Sequence, residues 1–288
     1  MNKILIALQG PLNVNTLKCA ESFADLNIDV LMIAWRDNSL KEIYSKKLKI
    51  EFIDDPKTLF TNDRVIGINL RRQIISNNFL LDKYSDSYDY IIRLRNDIIL
   101  INKDLFIKHL NIATKEKKIW TININTTSPR FLSPFLLKNH VSDWFFGGTP
   151  DKLRKALQLV DIKEEKVLPK DPRELKNFIF WRNIQNEQGI WSKSWKNEPT
   201  NNGYEILTEK PWEKSTINGC LNYAKYLRRN FYISAFRKTG LQSTKYKCNL
   251  KTWYLSPYNL FILNSLEIFL INKGFLKILL FYPPILRT

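Results

Sequence analysis

A chain of 288 residues, 44% hydrophobic and 25% charged, has the composition of one folded domain, or of a domain with a smaller lobe, and not of a disordered segment. Its 45 Lys and Arg outnumber its 28 Asp and Glu for a net charge of +17, a bias toward nucleic acid, an acidic membrane face or a phosphate-bearing substrate. No zinc-finger spacing, basic zipper or RNP-like stretch occurs, which argues against nucleic acid, and no run reaches the roughly 18 to 20 apolar residues that span a bilayer.

The opening MNKILIALQG holds an apolar run too short for a signal-peptide core, with no small-residue cleavage site after it. Residues 3–8 (KILIAL) therefore read as a buried strand that ends in the turn Gln9-Gly10-Pro11. Helical spacing follows over 16–26, with Leu17, Ala20, Phe23 and Ala24 on one face. Residues 29–35 (DVLMIAW) form a second buried strand, which makes a βαβ unit with parallel strands and a right-handed crossover. A third strand is expected at 50–53, a helix over 68–81 (INLRRQIISNNFLL), and further strands at 89–94 (DYIIRL) and 98–101. Beyond a strand at 120–125, the segment 143–148 (DWFFGG) precedes a helix over 150–160, and a hydrophobic turn is its plainer reading. Residues 161–202 look irregular, a helix is expected over 211–227, and the tail 255–286 is apolar and aromatic with scattered Lys and Arg.

The alternation up to residue 101 is α/β, and such open sheets bind ligands at the carboxyl ends of their strands. Arg95-Asn96-Asp97 stands at such an end. A carboxylate there can coordinate a divalent cation, Mn²⁺ or Mg²⁺, that also holds a diphosphate, and Arg71, Arg72, Arg93 or Arg95 can neutralise phosphate oxygens instead. Asp97 as the cap of a turn is the plainer reading. On the helix 68–81, Asn69, Arg72, Gln73 and Ser76 recur three to four residues apart, which puts a polar side toward the same cleft. In 142–148 an aspartate, three aromatics and two glycines stand together; aromatic faces stack on sugar rings and glycines admit a ligand close to the backbone. Trp144, Gly147 and Gly148 are thus candidate acceptor contacts, and Asp143 can accept a sugar hydroxyl. Glu213, early in the helix expected over 211–227, sits where a carboxylate is favoured. His109 and His140 lack metal-ligand company, and Cys19, Cys220 and Cys248 are isolated, as in a protein of the reducing cytoplasm. No Walker loop, Rossmann glycine fingerprint or nucleophile elbow is present.

Five blocks in order, ILIALQGPLNVNT, VLMIAW, NLRRQIISNNFLL, YDYIIRLRNDIIL and VSDWFFGGTPDKL, make residues 3–160 resemble the WavE lipopolysaccharide synthesis family. That resemblance implies a nucleotide-sugar glycosyltransferase of the GT-A type. It also implies that Gln9, Gly10 and Thr16 line the nucleotide site with Arg95 and Asn96, that Asn69, Arg72 and Gln73 face the sugar or phosphate, and that Asp97 is the surviving acid of a D-x-D-like motif whose first acid is here Arg95. Glu213 would then be the general base of an inverting transfer, with Asp143 its rival.

The fold expected is α/β, GT-A-like and Rossmann-like: a central, mostly parallel sheet flanked by helices, with a mainly helical C-terminal extension. Residues 1–230 would form the catalytic domain and 231–288 the extension. The expected partners are a nucleotide-sugar donor, a glycan or lipid-linked glycan acceptor and an anionic inner-membrane surface, with no nucleic acid. A cytoplasmic protein, peripheral at the inner face of the membrane, fits this set. The basic charge and the segment around Phe269, Lys273, Phe275, Lys277, Leu279 and Arg287 would provide that membrane contact, although a packed lobe explains the tail equally simply. The rival classes are a non-catalytic glycolipid-binding assembly factor and a basic nucleic-acid binder.

Overall fold

The computed structural model describes residues 3–12, 14–36, 49–56, 66–122, 144–157, 159, 167–169, 197–199, 205–207, 229–234 and 236–244. In chain order these give β1 (Ile4–Gln9), α1 (Val14–Ser22), β2 (Asp29–Trp35), β3 (Lys49–Ile53), α2 (Ile66–Tyr84), β4 (Tyr90–Arg95), β5 (Ile98–Leu100), α3 (Lys103–Lys115), β6 (Ile119–Ile122), β7 (Phe145–Gly148) and α4 (Pro150–Ala156). Then come β8 (Val167–Pro169), β9 (Asn197–Pro199), β10 (Glu205–Leu207), β11 (Phe231–Ser234) and β12 (Leu241–Ser243).

Seven strands make the main sheet in the order β11-β6-β7-β4-β1-β2-β3. β1 runs parallel to both β2 and β4, β2 parallel to β3, and β6 parallel to β11, while β7 alone is antiparallel to its neighbours. Strands buried on both faces read as continuous apolar runs, which is why ILIAL and VLMIA are recognisable without any alternation. Within β1 the side chains alternate between two cores. Leu5 and Ala7 pack with Ile74 and Leu81 of α2 and Leu153 of α4. Ile6 and Leu8 pack with Cys19 and Ala20 of α1, with Phe23 just after it, and with Phe106, Leu110 and Ala113 of α3. Helices therefore flank a mostly parallel sheet, the expected α/β architecture. Cys19 belongs to the second core: its thiol donates to the Ile98 carbonyl, and burial pushes its pKa up to about 12, the mark of a packing group and not of a reactive thiol.

Several expected elements differ. DWFFGG does not turn at its aromatics; Phe145–Gly148 is a buried central strand between β4 and β6. α3, for which no helix was expected, begins at Asn102, whose side chain accepts from the Leu105 amide, an ordinary N-cap. β11 is an edge strand of the main sheet and β12 pairs with β5, so residues 231–244 pack with the chain that precedes the expected boundary at 230. The remainder of the expected extension, the helix over 211–227 and most of 161–202 lie outside the described residues.

Beside β11, His109 of α3 bridges two groups: Tyr232 Oη 2.5 Å from Nδ1 and the Lys238 carbonyl 3.0 Å from Nε2. The carbonyl can only accept, so Nε2 carries the proton and Nδ1 accepts from the tyrosine. Burial holds the His109 pKa below the ordinary 6.5, opposed by the Lys238 carbonyl bond and reinforced by the charges of Lys108 and Lys238. Folding thus favours neutral His109, and this contribution is fully present above the unfolded value and lost as pH falls through the lower folded one. Thermal unfolding should give a lower melting temperature at about pH 5.5 than at about pH 7.5, with a shallower drop in His109→Gln.

Candidate active site

The chain leaves β1, builds β2 and β3 on one side, and then crosses back to lay β4 on the other side of β1. A crevice outside the carboxyl ends of β1 and β4 is the topological switch point at which open α/β sheets bind ligands. Gln9-Gly10-Pro11 ends β1 there and Arg95-Asn96-Asp97 ends β4.

Asn96 ties the two turns together. Its amide donates to the Gln9 carbonyl at 3.1 Å. Its side-chain Nδ2 donates to the Pro11 carbonyl and to Thr16 Oγ1, the latter at 2.8 Å, which uses both of its protons. Thr16 Oγ1 passes its own proton to the Pro11 carbonyl at 2.9 Å. Gly10 has φ +149°, and a Cβ added to it would lie 2.2 Å from Asn96 Oδ1, so the turn requires glycine on both counts. Thr16 is 0% and Asn96 7% exposed. These two residues shape the turn from within, and their part in ligand binding is to position it.

Gln9, Arg93 and Arg95 alternate onto the α2 face of the sheet. Arg93 is only 2% exposed; its Nε donates to Gln9 Oε1 at 2.5 Å and its guanidinium lies 5.6 Å from the Phe146 ring centroid. Gln9 Nε2 is buried and has no hydrogen-bond partner among the described residues. Arg95 forms a bidentate pair with Asp97, Nε to Oδ1 at 3.0 Å and Nη2 to Oδ2 at 2.5 Å. Its guanidinium stacks over Trp144 at 4.7 Å from the ring centroid, and its amide donates to the Trp144 carbonyl at 3.0 Å.

No protein-family model matches the chain, and no curated protein matches it. Among solved structures it is similar to a glycosyltransferase involved in the glycosylation of the major capsid of PBCV-1, at 11% identity and a TM-score of 0.34, over 88% of this chain and 89% of that one. A likeness that distant decides nothing about function. None of these comparisons shows the WavE family.

The expected site residues divide into three groups. Gln9, Gly10, Thr16, Arg95, Asn96, Asp97 and Trp144 come together at the carboxyl ends of β1 and β4 and the amino end of the antiparallel β7. Arg72 and Gln73 lie on α2, where Arg72 is held by both oxygens of Asp55 and lies 5.6 Å from the Trp35 ring centroid; Arg71 donates to the Pro56 carbonyl. Ser76, expected on the polar side of that helix, is 0% exposed and donates to the helix's own carbonyls, so the supposed polar face is not continuous. Asn69 lies in α2 with its side chain outside the description, and Asp143 and Glu213 lie outside the described residues altogether.

The structure separates the expected acceptor trio along β7. Trp144 flanks Arg95, but Gly147 and Gly148 recede toward the amino end of β4, opposite Ile92 and Ile91. There an added Cβ would meet Ile92 and Tyr90 at 2.9 and 3.0 Å, or Leu153 at 3.1 Å. Close packing between the strand and its neighbours accounts for both glycines. Conversely, the sequence pattern assigns no site role to Asp55, Trp35 or Thr244. Thr244 donates its amide and its hydroxyl to the Asp97 carbonyl, at 2.8 and 3.1 Å.

The carboxylates that follow β3 and β4 in the described chain are Asp54, Asp55 and Asp97, and each pairs with an arginine: Arg36, Arg72 and Arg95. No group of three His, Cys, Asp or Glu that could hold a metal ion occurs among the described residues. A hard divalent cation needs several anionic or carbonyl oxygens, and among the described residues this turn offers one carboxylate, Asp97, which is shared with a guanidinium.

Proposed function

We propose that the chain is a glycosyltransferase that moves a sugar from a nucleotide-sugar donor to a bacterial surface glycan, lipopolysaccharide, lipooligosaccharide or capsule. The observation that carries this reading is the switch-point crevice itself: a glycine turn braced by Asn96 on one side, and Arg95 stacked on Trp144 on the other. Backbone amides of a tight turn and a guanidinium suit a diphosphate, and an indole face suits a sugar ring or base. The ordered WavE-like blocks agree with that chemistry, because three of the five contain these residues.

The reaction we infer is an inverting displacement. The acceptor hydroxyl oxygen forms a bond to the anomeric carbon while the bond from that carbon to the phosphate oxygen breaks, its electron pair leaving on the nucleoside diphosphate. The hydroxyl proton passes to a carboxylate, for which Glu213 and Asp143 are the two proposed bases. Cationic and amide donors at the crevice stabilise the charge that develops on the leaving group. A glycan acceptor, free or lipid-linked, and peripheral attachment to an anionic inner-membrane surface complete the proposal. The charge of +17 supports that attachment, and no helix among the described residues is long and apolar enough to cross a membrane.

A thermal-shift panel of UDP, GDP, CMP and dTDP tests the donor half. One nucleotide should raise the melting temperature in a concentration-dependent way, as any ligand of the native state must, and the matching nucleotide sugar should be slowly hydrolysed. A nucleotide that binds without turnover of its sugar conjugate points to the non-catalytic binder. Salt-sensitive retention of random oligonucleotides, with no nucleotide shift, points to nucleic acid.

A further inference from the structure

The turn between α3 and β6 carries two lysines, and a third meets them from α4. The Lys117 amide donates to the Thr114 carbonyl and the Lys118 amide to the Ala113 carbonyl, both at 3.2 Å, the bond pattern of a Schellman C-cap. Lys117 stands at the left-handed position of that cap, φ +50°, where glycine is the ordinary choice. β6 and β7 pair antiparallel with Trp120 opposite Gly147, a register that continues to Lys118 opposite Thr149, the N-cap of α4. Lys152 follows in the first turn of α4, where the helix dipole disfavours a cation. Burial, and then the charges of Lys118 and Lys117, hold the Lys152 ammonium below its ordinary pKa. Lys118 is paired with Glu116 at 2.8 Å, whereas neither Lys117 nor Lys152 forms an ion pair among the described residues.

We infer that Lys117 and Lys152, with Lys118 beside them, form the surface through which the protein meets an anionic bilayer, their ammonium groups contacting lipid phosphates. This inference rests on the membrane-attachment half of the proposed function. Each of its features is locally unfavourable: a side chain where glycine fits, a cation at the positive end of a helix, and like charges held together. Local rules broken together at one place mark a functional surface. The dipole at the α3 C-terminus favours Lys117, but it gives no reason for Lys152. Lys117 is exposed and Lys152 half-buried, an open arrangement that suits the many phosphates of a lipid surface better than a single enclosed ion. Tyr90 Oη donates to the Lys118 carbonyl at 3.1 Å, which sets the cluster beside the amino end of β4, whereas the crevice lies at the carboxyl end. The six residues of β4, at about 3.3 Å each, put about 20 Å between the two. A protein docked in this way holds its crevice clear of the lipid and open to a soluble donor, within reach of a glycan that projects from the membrane.

Co-sedimentation of the full chain with vesicles of equal parts phosphatidylglycerol and phosphatidylcholine, against phosphatidylcholine alone, tests this. The chain should bind only the anionic vesicles, and less tightly at high salt. A lysine at such a surface contributes about fivefold in binding, so Lys117→Gln combined with Lys152→Gln should weaken it about 25-fold. Lys18→Gln combined with Lys108→Gln removes the same charge from exposed positions on α1 and α3. That control should weaken binding less than about threefold, because screened charges away from the contact add little. Lys117→Gly separates docking from capping: the left-handed turn accepts glycine, so the melting temperature should hold or rise while vesicle binding falls about fivefold. Circular dichroism checks that each variant folds. Equal weakening by the two double variants overturns the inference and leaves membrane attachment standing as an effect of net charge. If the chain ignores anionic vesicles altogether, attachment and inference fall together. A single-stranded oligonucleotide bound more tightly than the vesicles, and lost in the Lys117 and Lys152 double variant, assigns the cluster to nucleic acid and overturns the inference as well.

Discussion

Asn96→Ala lowers the free energy of unfolding by about 3 kcal/mol, and it weakens nucleoside diphosphate binding with it. The side chain makes two hydrogen bonds in a nearly closed environment, to the Pro11 carbonyl and to Thr16 Oγ1. Each is worth about 1 kcal/mol net, and a buried acceptor left short of a donor adds about 1–3 kcal/mol. The Pro11 carbonyl keeps its bond from Thr16, which limits that added cost to its lower end, about 1 kcal/mol. Asn96→Asp is the sharper variant. It preserves shape but points a second oxygen at a carbonyl that can only accept, so it should destabilise at least as much as alanine does. Urea unfolding of both variants measures the stability half, and titration with a nucleoside diphosphate the binding half. A loss under about 1 kcal/mol for both would mean that Asn96 does not brace the turn.

That residue also marks how far the sequence alone could be read. The strands β1, β2 and β4 were legible because parallel strands buried on both faces become uninterrupted apolar runs, and the turns that end them carry Gly-Pro and Asn-Asp. The edge at which the site lies followed from that alternation alone. β7 was illegible for a physical reason: two of its four residues are glycines, which offer no side chain to a periodic pattern and normally signal a turn. α3 had its signals, Asn102 as the cap and Phe106, Leu110 and Ala113 at helical spacing, but Lys108, His109 and Asn111 between them blunted the apolar stripe.

The roles within the site were harder still to read, because spacing does not reveal partners. Arg95 and Asp97, two residues apart, are compatible with a metal ligand beside a phosphate-binding arginine, or with an ion pair. Only the bidentate geometry distinguishes these. Arg72 shows the same ambiguity: its position on α2 predicted a cleft residue, while its charge is met by Asp55, 17 residues earlier. Thr244 lies 147 residues from the carbonyl it holds, and nothing in a local pattern connects the two.

That remote contact carries the second large effect, expected from Gly240→Ala. Gly240 has φ +75°, and a Cβ placed on it would lie 2.0 Å from the Asn102 carbonyl oxygen. Unlike the neighbour of Gly10, this obstacle is backbone, and it is held in place because the amides of Ile101 and Asn102 both donate to the Gly240 carbonyl, at 2.7 and 3.1 Å. The left-handed conformation costs an alanine about 1 kcal/mol, and the forced separation a further 1–3 kcal/mol, for a total of about 3 kcal/mol. In a domain of this size that is a fall in melting temperature of about 6–12 °C. The consequence extends to the site. Residues 241–243 pair as β12 with β5 and lead into Thr244, so displacing Gly240 pulls on the Asp97 carbonyl and on the arginine paired with Asp97. Thr244→Val separates the two effects, since it removes only the hydroxyl bond at 3.1 Å and leaves the amide bond and the β12 pairing. If Gly240→Ala melts early yet binds a nucleoside diphosphate like the parent at low temperature, the strap stabilises the fold without positioning the site; if binding falls in Thr244→Val as well, at unchanged melting temperature, the strap is part of how Arg95 is held.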